Sequence, residues 1–281
     1  MKVLKRIAVI NDMSGFGRCS LTAAIPVISA MGMECCPLPT AVLSNQTGYG
    51  RFYCDDFTDK MVNFTEHWKS ICPQFDGIFT GFVVNEKQID FIADFIDDFS
   101  NECTVTLVDP VMGDDGKLYA SYNEKMCEKL KGLVKKASVI TPNLTELCIL
   151  AGENYDEISA LNTLEMFEKI EQISRNLTGD KLKTVITTGI PVAQNGEKYI
   201  ASAVLWQGGF KSVTTKKIGG SFSGTGDLFA SVTISALISG LNPLSAVVKA
   251  TDFISKAIEE TVTHCHDRND GIDFQKFLRT L

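Results

Sequence analysis

The stretch Gly219-Gly220-Ser221-Phe222-Ser223-Gly224-Thr225-Gly226-Asp227 combines residue types that can hold an anion and move a proton. Before it, residues 209–217 alternate and are rich in Val and Thr, which predicts a strand. After it, residues 228–238 are apolar and Ala-rich, which predicts a buried helix. Glycines on a turn from sheet into helix leave backbone N–H groups unpaired at the positive end of the helix dipole, a place suited to phosphate. Gly224 and Gly226 have no Cβ, so a ligand can approach their backbone closely. Asp227 puts a carboxylate beside that anion site. Its charge repels a phosphate, and what it offers in return is a general base for an attacking hydroxyl. An anion cradle next to a base is the core of phosphoryl transfer to a small hydroxyl compound. The plainer alternative is a glycine-rich loop with Asp227 as a helix cap.

Two more carboxylates fall near strand ends. Asp109 follows a predicted strand and is held by Pro110; Glu146 stands in the first turn of the helix after Thr141-Pro142-Asn143. Either could bind magnesium, directly or through waters, since that ion favours few protein ligands. Glu146 also fits a capping box with Asn143 as the cap, and both roles can hold together. A competing motif is Gly15-Phe16-Gly17-Arg18-Cys19-Ser20, which approximates G-x-G-x-x-G, with Glu34 near the acidic position of a dinucleotide unit. Glu34 falls at the start of its strand, however, not at the end where a ribose would sit. No stretch supplies G-x-x-x-x-G-K-[ST]. His264-Cys265-His266 has no partner cluster at metal-ligand spacing, so a solvated helix end is preferred. A cysteine hydrolase is disfavoured because none of His67, His264 and His266 lies at a strand end.

The elements that must position these residues alternate in type. Strands are predicted at 4–10, 34–38, 77–80, 104–108, 138–141 and 184–187, with a hairpin over 197–206 and 209–216. Helices are predicted at 21–31, 57–71, 88–99, 124–136, 144–151 and 161–177, and two apolar helices and a short terminal one close the chain. Residues 40–51 and 111–119 read as loops. Alternation of this kind gives parallel βαβ units with helices on both faces, an α/β fold with an antiparallel hairpin at its edge. With no repeat and no Pro-, Gly- or Ser-rich linker, residues 1–281 are expected to form one domain. The polar strand ends Asn11-Asp12, Thr80-Gly81, Asp109, 141–143, 187–189 and 224–227 then share one edge, where such sheets bind ligands.

Composition narrows the partners. The chain of 281 residues is 44% hydrophobic and 22% charged, ordinary for a globular protein. Its net charge of −7 argues against a nucleic-acid or anionic-membrane surface. The nine cysteines (19, 35, 36, 54, 72, 103, 127, 148 and 265) form no C-x-x-C pair and are odd in number. Reduced thiols in a reducing cytosol are expected, hence a cytoplasmic protein. The first apolar run is too short for a signal peptide, and none approaches the ~20 residues that span a bilayer.

Four motifs together resemble the ribokinase-like superfamily and, within it, its pyridoxal kinase branch. They are the turn Gly224-Thr225-Gly226-Asp227, Asp109-Pro110-Val111-Met112-Gly113, Thr141-Pro142-Asn143-Leu144-Thr145-Glu146-Leu147 and Ser44-Asn45-Gln46-Thr47-Gly48-Tyr49. The last is the most specific, because the superfamily's sugar kinases lack it. The resemblance covers nearly the whole chain and implies a three-layer α/β/α sandwich. It also implies ATP-dependent phosphorylation of the hydroxymethyl group of a vitamin B6 vitamer (pyridoxal, pyridoxine or pyridoxamine). The nearest alternative is the hydroxymethylpyrimidine kinase of thiamine synthesis, against which the 44–49 motif argues.

The resemblance further implies residue roles. Asp227 would take the hydroxymethyl proton, and the amides of Gly224, Thr225 and Gly226 would stabilise the transferring phosphoryl. Thr47 and Phe82 would lie at the pyridine substrate, with Phe82 standing where the family often has Tyr. Asp109, Asn143, Glu146, Thr187, Thr188 and Gly224 would surround ATP, with Asp109 and Glu146 at its Mg2+ and Tyr119 in a loop that folds over the nucleotide. A monovalent cation such as K+ and a homodimer are further implications. Asp12 replaces the family's Ser, and Gln46 a frequent His. Asp12 is expected to accept from the ring hydroxyl or pair with an amine, tilting preference toward pyridoxamine or pyridoxine. A regulatory nucleotide binder without chemistry and a dinucleotide oxidoreductase are the readings from other classes.

Overall fold

The structure, a computed structural model, describes residues 4–71, 74–264 and 267–281. Cys72, Cys265 and His266 lie outside the described residues. The chain begins with β1 (Arg6–Ser14), α1 (Ser20–Ala30), β2 (Glu34–Leu43) and β3 (Cys54–Asp56). It continues with α2 (Thr58–Ile71), β4 (Gly77–Thr80), α3 (Glu86–Phe99) and β5 (Val105–Val108). A small hairpin of β6 (Gly113–Asp114) and β7 (Lys117–Leu118) precedes α4 (Glu124–Val134) and β8 (Val139–Ile140). Helices α5 (Leu144–Ala151), α6 (Tyr155–Ser159) and α7 (Thr163–Leu177) lead into β9 (Thr184–Gln194), β10 (Glu197–Trp206) and β11 (Gly209–Lys216). Helices α8 (Thr225–Ile238) and α9 (Pro243–Thr261) and two short 3-10 turns end the chain.

The main sheet has the order β11-β10-β9-β8-β5-β4-β1-β2-β3. Pairing is parallel from β2 through β9 and antiparallel for β9–β10, β10–β11 and β2–β3. The central strands are apolar on both sides, as in β4, because helices cover both faces. One apolar cluster joins the sheet to α2, α3, α4, α5 and α7; the other joins it to α1, α8 and α9. Helix α8 is apolar nearly all round because it packs against the sheet, α1 and α9 at once. Its Ser231, Ser235 and Ser239 hydroxyls donate to carbonyls one turn back, which satisfies them without a polar face.

The strand order reverses at β1, which has β2 on one side and β4 on the other. That switch point leaves a crevice at the carboxyl ends of the strands, where Asn11 and Asp12 stand.

Several boundaries differ from the sequence reading. β1 runs to Ser14 rather than residue 10, and β2 to Leu43 rather than residue 38. The two extend together, pairing Met13 with Val42 and Ser14 with Leu43. Pro37 and Pro39 lie within β2, but that part of β2 has a strand on one side only, so a missing N–H is tolerated. Residues 40–51 are therefore half strand and half loop, and the loop returns as edge strand β3. β9 runs seven residues past its expected end, to Gln194, because β10 folds back along it. The 111–119 loop contains the β6–β7 hairpin.

Candidate active site

Gly224 makes the turn into α8 possible. It sits at φ 78°, and a Cβ there would stand 2.0 Å from the Arg18 carbonyl oxygen. Helix α8 begins at Thr225, earlier than the apolar run suggests, so Gly226 and Asp227 fall in its first turn. No side chain caps this helix, so its first N–H groups have no side-chain acceptor at the cap position. The helix-cap reading of Asp227 is thereby corrected: Gly224 holds the cap position. Instead the Asp227 carboxylate accepts from Asn11 Nδ2 at 2.9 Å, from the Ser20 backbone N–H and from its own N–H. Burial pushes its pKa up to about 6; Asp12 nearby adds to the rise, and these donors oppose it. A carboxylate poised near neutrality is suited to take a proton from a hydroxyl.

Residues on the β1–β2 side converge on Asp227. Asn11 is fully buried, and its Oδ1 accepts from the backbone N–H groups of Asp12 and Phe82, both at 2.9 Å. Those two bonds fix which way its Nδ2 points. Asp12 is also buried; its carboxylate accepts from the hydroxyls of Ser14, at 2.8 Å, and Ser20. Phe82 is half-buried, with its ring against Tyr122. Thr47 is exposed on a loop whose neighbours fasten it. Gln46 donates to Ser223 Oγ at 3.3 Å and to the Asn269 carbonyl at 3.2 Å, and accepts from Gly48 N–H at 2.7 Å. Tyr49 donates to Asp270. Arg18 donates to the carbonyls of Asp270 and Gly271 and pairs with Asp273 at 2.8 Å. The loop after β2, the loop after β1 and the last residues of the chain are thus fastened to the glycine turn.

On the other side, Asp109 caps β5 with its Oδ1 accepting from Thr141 Oγ1 at 3.0 Å. Its Oδ2 faces Gly226, 3.8 Å from where a Cβ would stand. Burial first, and then the charge of Asp227, push the Asp109 pKa up to about 7. Glu146 forms the capping box: it accepts from Asn143 N–H at 2.8 Å, and Asn143 Oδ1 accepts from Glu146 N–H at 2.9 Å. Its other oxygen accepts from Met112 N–H at 3.0 Å. Burial, and then Asp109, hold its pKa well above the usual carboxylate range. Asn143 reaches Gly113 O at 2.8 Å, tying α5 to the β6–β7 hairpin, and Tyr119 follows that hairpin, half-exposed. Thr188 donates its N–H to Pro142 O, while Thr187 Oγ1 is fully buried without a hydrogen-bond partner.

The charge of Asp227 raises the pKa of Asp109, and that of Asp109 raises the pKa of Glu146, so the row favours a cation. Among the described residues no group of three or more His, Cys, Asp and Glu forms a metal cage. The residues fit magnesium, whose remaining ligands would be phosphate oxygens and waters.

The dinucleotide reading is not supported. Glu34 starts β2, at the far end of the sheet, and is half-buried in an ion pair with Arg6 at 2.6 Å. In the Gly15–Ser20 motif the amides of Gly15 and Phe16 are spent on the carbonyls of Leu43 and Ser44. His264 pairs with Asp273 at 3.2 Å. The sequence reading missed Asn11, Arg18 and Ser20 as supports. Asn11 sits at a strand end, which was a usable signal; Arg18 and Ser20 carried none, because their partners are distant in sequence.

A mostly parallel sheet reversing at β1, with an anion cradle and a carboxylate at its strand ends, defines a ribokinase-like small-molecule kinase. The chain belongs to the phosphomethylpyrimidine kinase family, whose pattern it matches over residues 17–270. It is similar to a Bacteroides thetaiotaomicron protein described as a phosphomethylpyrimidine kinase, solved in a crystal form with pyridoxal. The two share 38% identity at TM-score 0.91, over 99% of this chain and 96% of that one. Pyridoxal kinase from Lactobacillus plantarum is 26% identical at TM-score 0.87, over 99% of this chain and 96% of that one. A Schizosaccharomyces pombe protein named as a pyridoxal kinase is 24% identical over 95% of this chain and 85% of its own length.

Proposed function

We propose that this protein transfers the γ-phosphoryl group of ATP to the hydroxymethyl group of a vitamin B6 vitamer. The observation that carries the reading is the Asp227 carboxylate, held at an uncapped helix N-terminus with a pKa of about 6. Asp227 accepts the hydroxymethyl proton as the oxygen attacks. The N–H groups of Gly224, Thr225 and Gly226 face the negative charge that develops on the phosphoryl oxygens. The vitamer lies between Phe82, Thr47 and Asp227. ATP lies along Asp109, Asn143, Glu146, Thr187 and Thr188, with Tyr119 over it.

Magnesium would be held by Asp109, with Glu146 behind it, and would neutralise phosphate charge. A monovalent cation such as K+ is compatible with the orphaned Thr187 hydroxyl. Burial pushes the Cys19 and Cys35 thiols up to about 12, in keeping with inert reduced cysteines and a cytoplasmic setting. Among the described residues no helix is long and apolar enough to cross a membrane. A homodimer is part of the proposal.

The family's own name favours a second substrate, hydroxymethylpyrimidine. The fastened 44–49 loop and the pyridoxal in the 38% identical neighbour favour the pyridine. ADP release from magnesium–ATP, measured with the three vitamers and the pyrimidine side by side, separates them. Turnover of a pyridine vitamer well above the pyrimidine is expected. Turnover of the pyrimidine alone would reject the vitamer reading and leave the fold and the role of Asp227 in place.

A further inference from the structure

Asp12 is a buried carboxylate that the proposed chemistry does not consume. Its contacts run inward: Ser14 and Ser20 both donate their hydroxyls to it. Ser20 has φ 50°, a left-handed conformation uncommon for a residue other than glycine. Such a conformation persists when its surroundings over-determine it. Here the hydroxyl is held by Asp12, and the preceding residue, Cys19, is buried. The result is that the Ser20 backbone N–H points at the Asp227 carboxylate and donates to it.

We infer that Asp12 is a positioning residue: through the Ser20 hydroxyl it holds the strained Ser20 backbone whose N–H orients Asp227 for proton abstraction. Asn11 and Ser20 then grip Asp227 from two elements, the end of β1 and the start of α1. Asp12, one residue after Asn11, ties the two grips together. The inference deepens the kinase reading and rests on Asp227 being the base. It assigns Asp12 a role other than choosing the vitamer, since the residue is only 5% exposed and its carboxylate already accepts from two hydroxyls.

The test is a double-mutant cycle of Asp12→Ala and Ser20→Ala, with Asp12→Asn as the conservative variant and Asp227→Asn as the control. Steady-state kcat and KM are measured for each vitamer and for ATP. Each alanine variant should lower kcat by about 10–10²-fold with KM nearly constant, the usual penalty of a misplaced catalytic group. The loss should be equal for the three vitamers. The double variant should lose little more than either single one, because both remove the same support. Asp12→Asn keeps an acceptor for Ser20 and should recover much of the loss.

A raised KM or a changed vitamer ratio in Asp12→Ala would overturn the inference in favour of a direct vitamer contact. Additive losses in the double variant would overturn it as well. Should Asp12→Ala fold poorly, Ser20→Ala alone decides, since it removes only the one buried hydroxyl that donates to Asp12 and should show the same kcat loss at constant KM. Near-normal turnover in Asp227→Asn would instead reject the base itself, a failure distinct from the other two.

Discussion

The two flanks of the crevice are built differently. The flank that receives ATP in our proposal is made of nearer contacts: a capping box over 143–146, a two-strand hairpin, and bonds between residues 30 to 34 apart. The flank that receives the vitamer is made of side chains reaching across the sequence. Asn11 and Asp227 are 216 residues apart, Gln46 and Ser223 are 177 apart, and Tyr49 and Asp270 are 221 apart. A capping box forms wherever its helix forms. A bond between residues 46 and 223 exists only once the whole sheet is assembled. The nucleotide flank should therefore tolerate substitutions elsewhere, and the vitamer flank should report on the integrity of the entire fold.

The largest effect should come where the flanks meet. Asp227→Asn should keep binding of both substrates and lower kcat by ~10²–10⁴, the usual range for losing a general base; near-normal turnover would remove Asp227 from the mechanism. In the wild type, activity should fall as pH drops through about 6, where Asp227 takes up a proton. Gly224→Ala comes next. It puts a Cβ 2.0 Å from a carbonyl at a left-handed position, so it should cost on the order of 1–3 kcal/mol of stability as well as activity. A thermal melt equal to wild type would count against the packing argument.

Two milder variants separate the flanks. Gln46→Ala removes bonds worth about 1 kcal/mol each and should raise vitamer KM roughly 5–10-fold while leaving ATP and magnesium titrations unchanged. Glu146→Gln should shift the magnesium titration and leave vitamer KM unchanged. If both variants move both titrations together, the flanks are not independent.

The smallest expected effect is on stability. The folded Asp109 pKa of about 7 exceeds the ordinary 3.8. Between these values the native state binds more protons than the unfolded chain, so this group's contribution to stability is lost as pH rises through about 7. Ligand-free Asp109→Asn should therefore be the more stable protein above pH 7, by on the order of 1–2 kcal/mol. The difference should shrink toward pH 4. Melting curves at the two pH values check it.

Alternating apolar strands and amphipathic helices fixed the α/β class and the strand-end placement of Asp109, Glu146 and Asp227, because hydrophobic periodicity is a local property. The capping box at Asn143 and Glu146 was legible for the same reason. What tertiary structure decided was partnership. That β1 and β2 extend as a pair past Pro39, that Gly224 must be glycine because Arg18 O lies against it, and that Asp12 turns inward to Ser14 and Ser20 all depend on distant chain segments meeting. Residue types say which groups can carry charge; only packing sets how far burial and neighbours move it, as at Asp227 and Asp109.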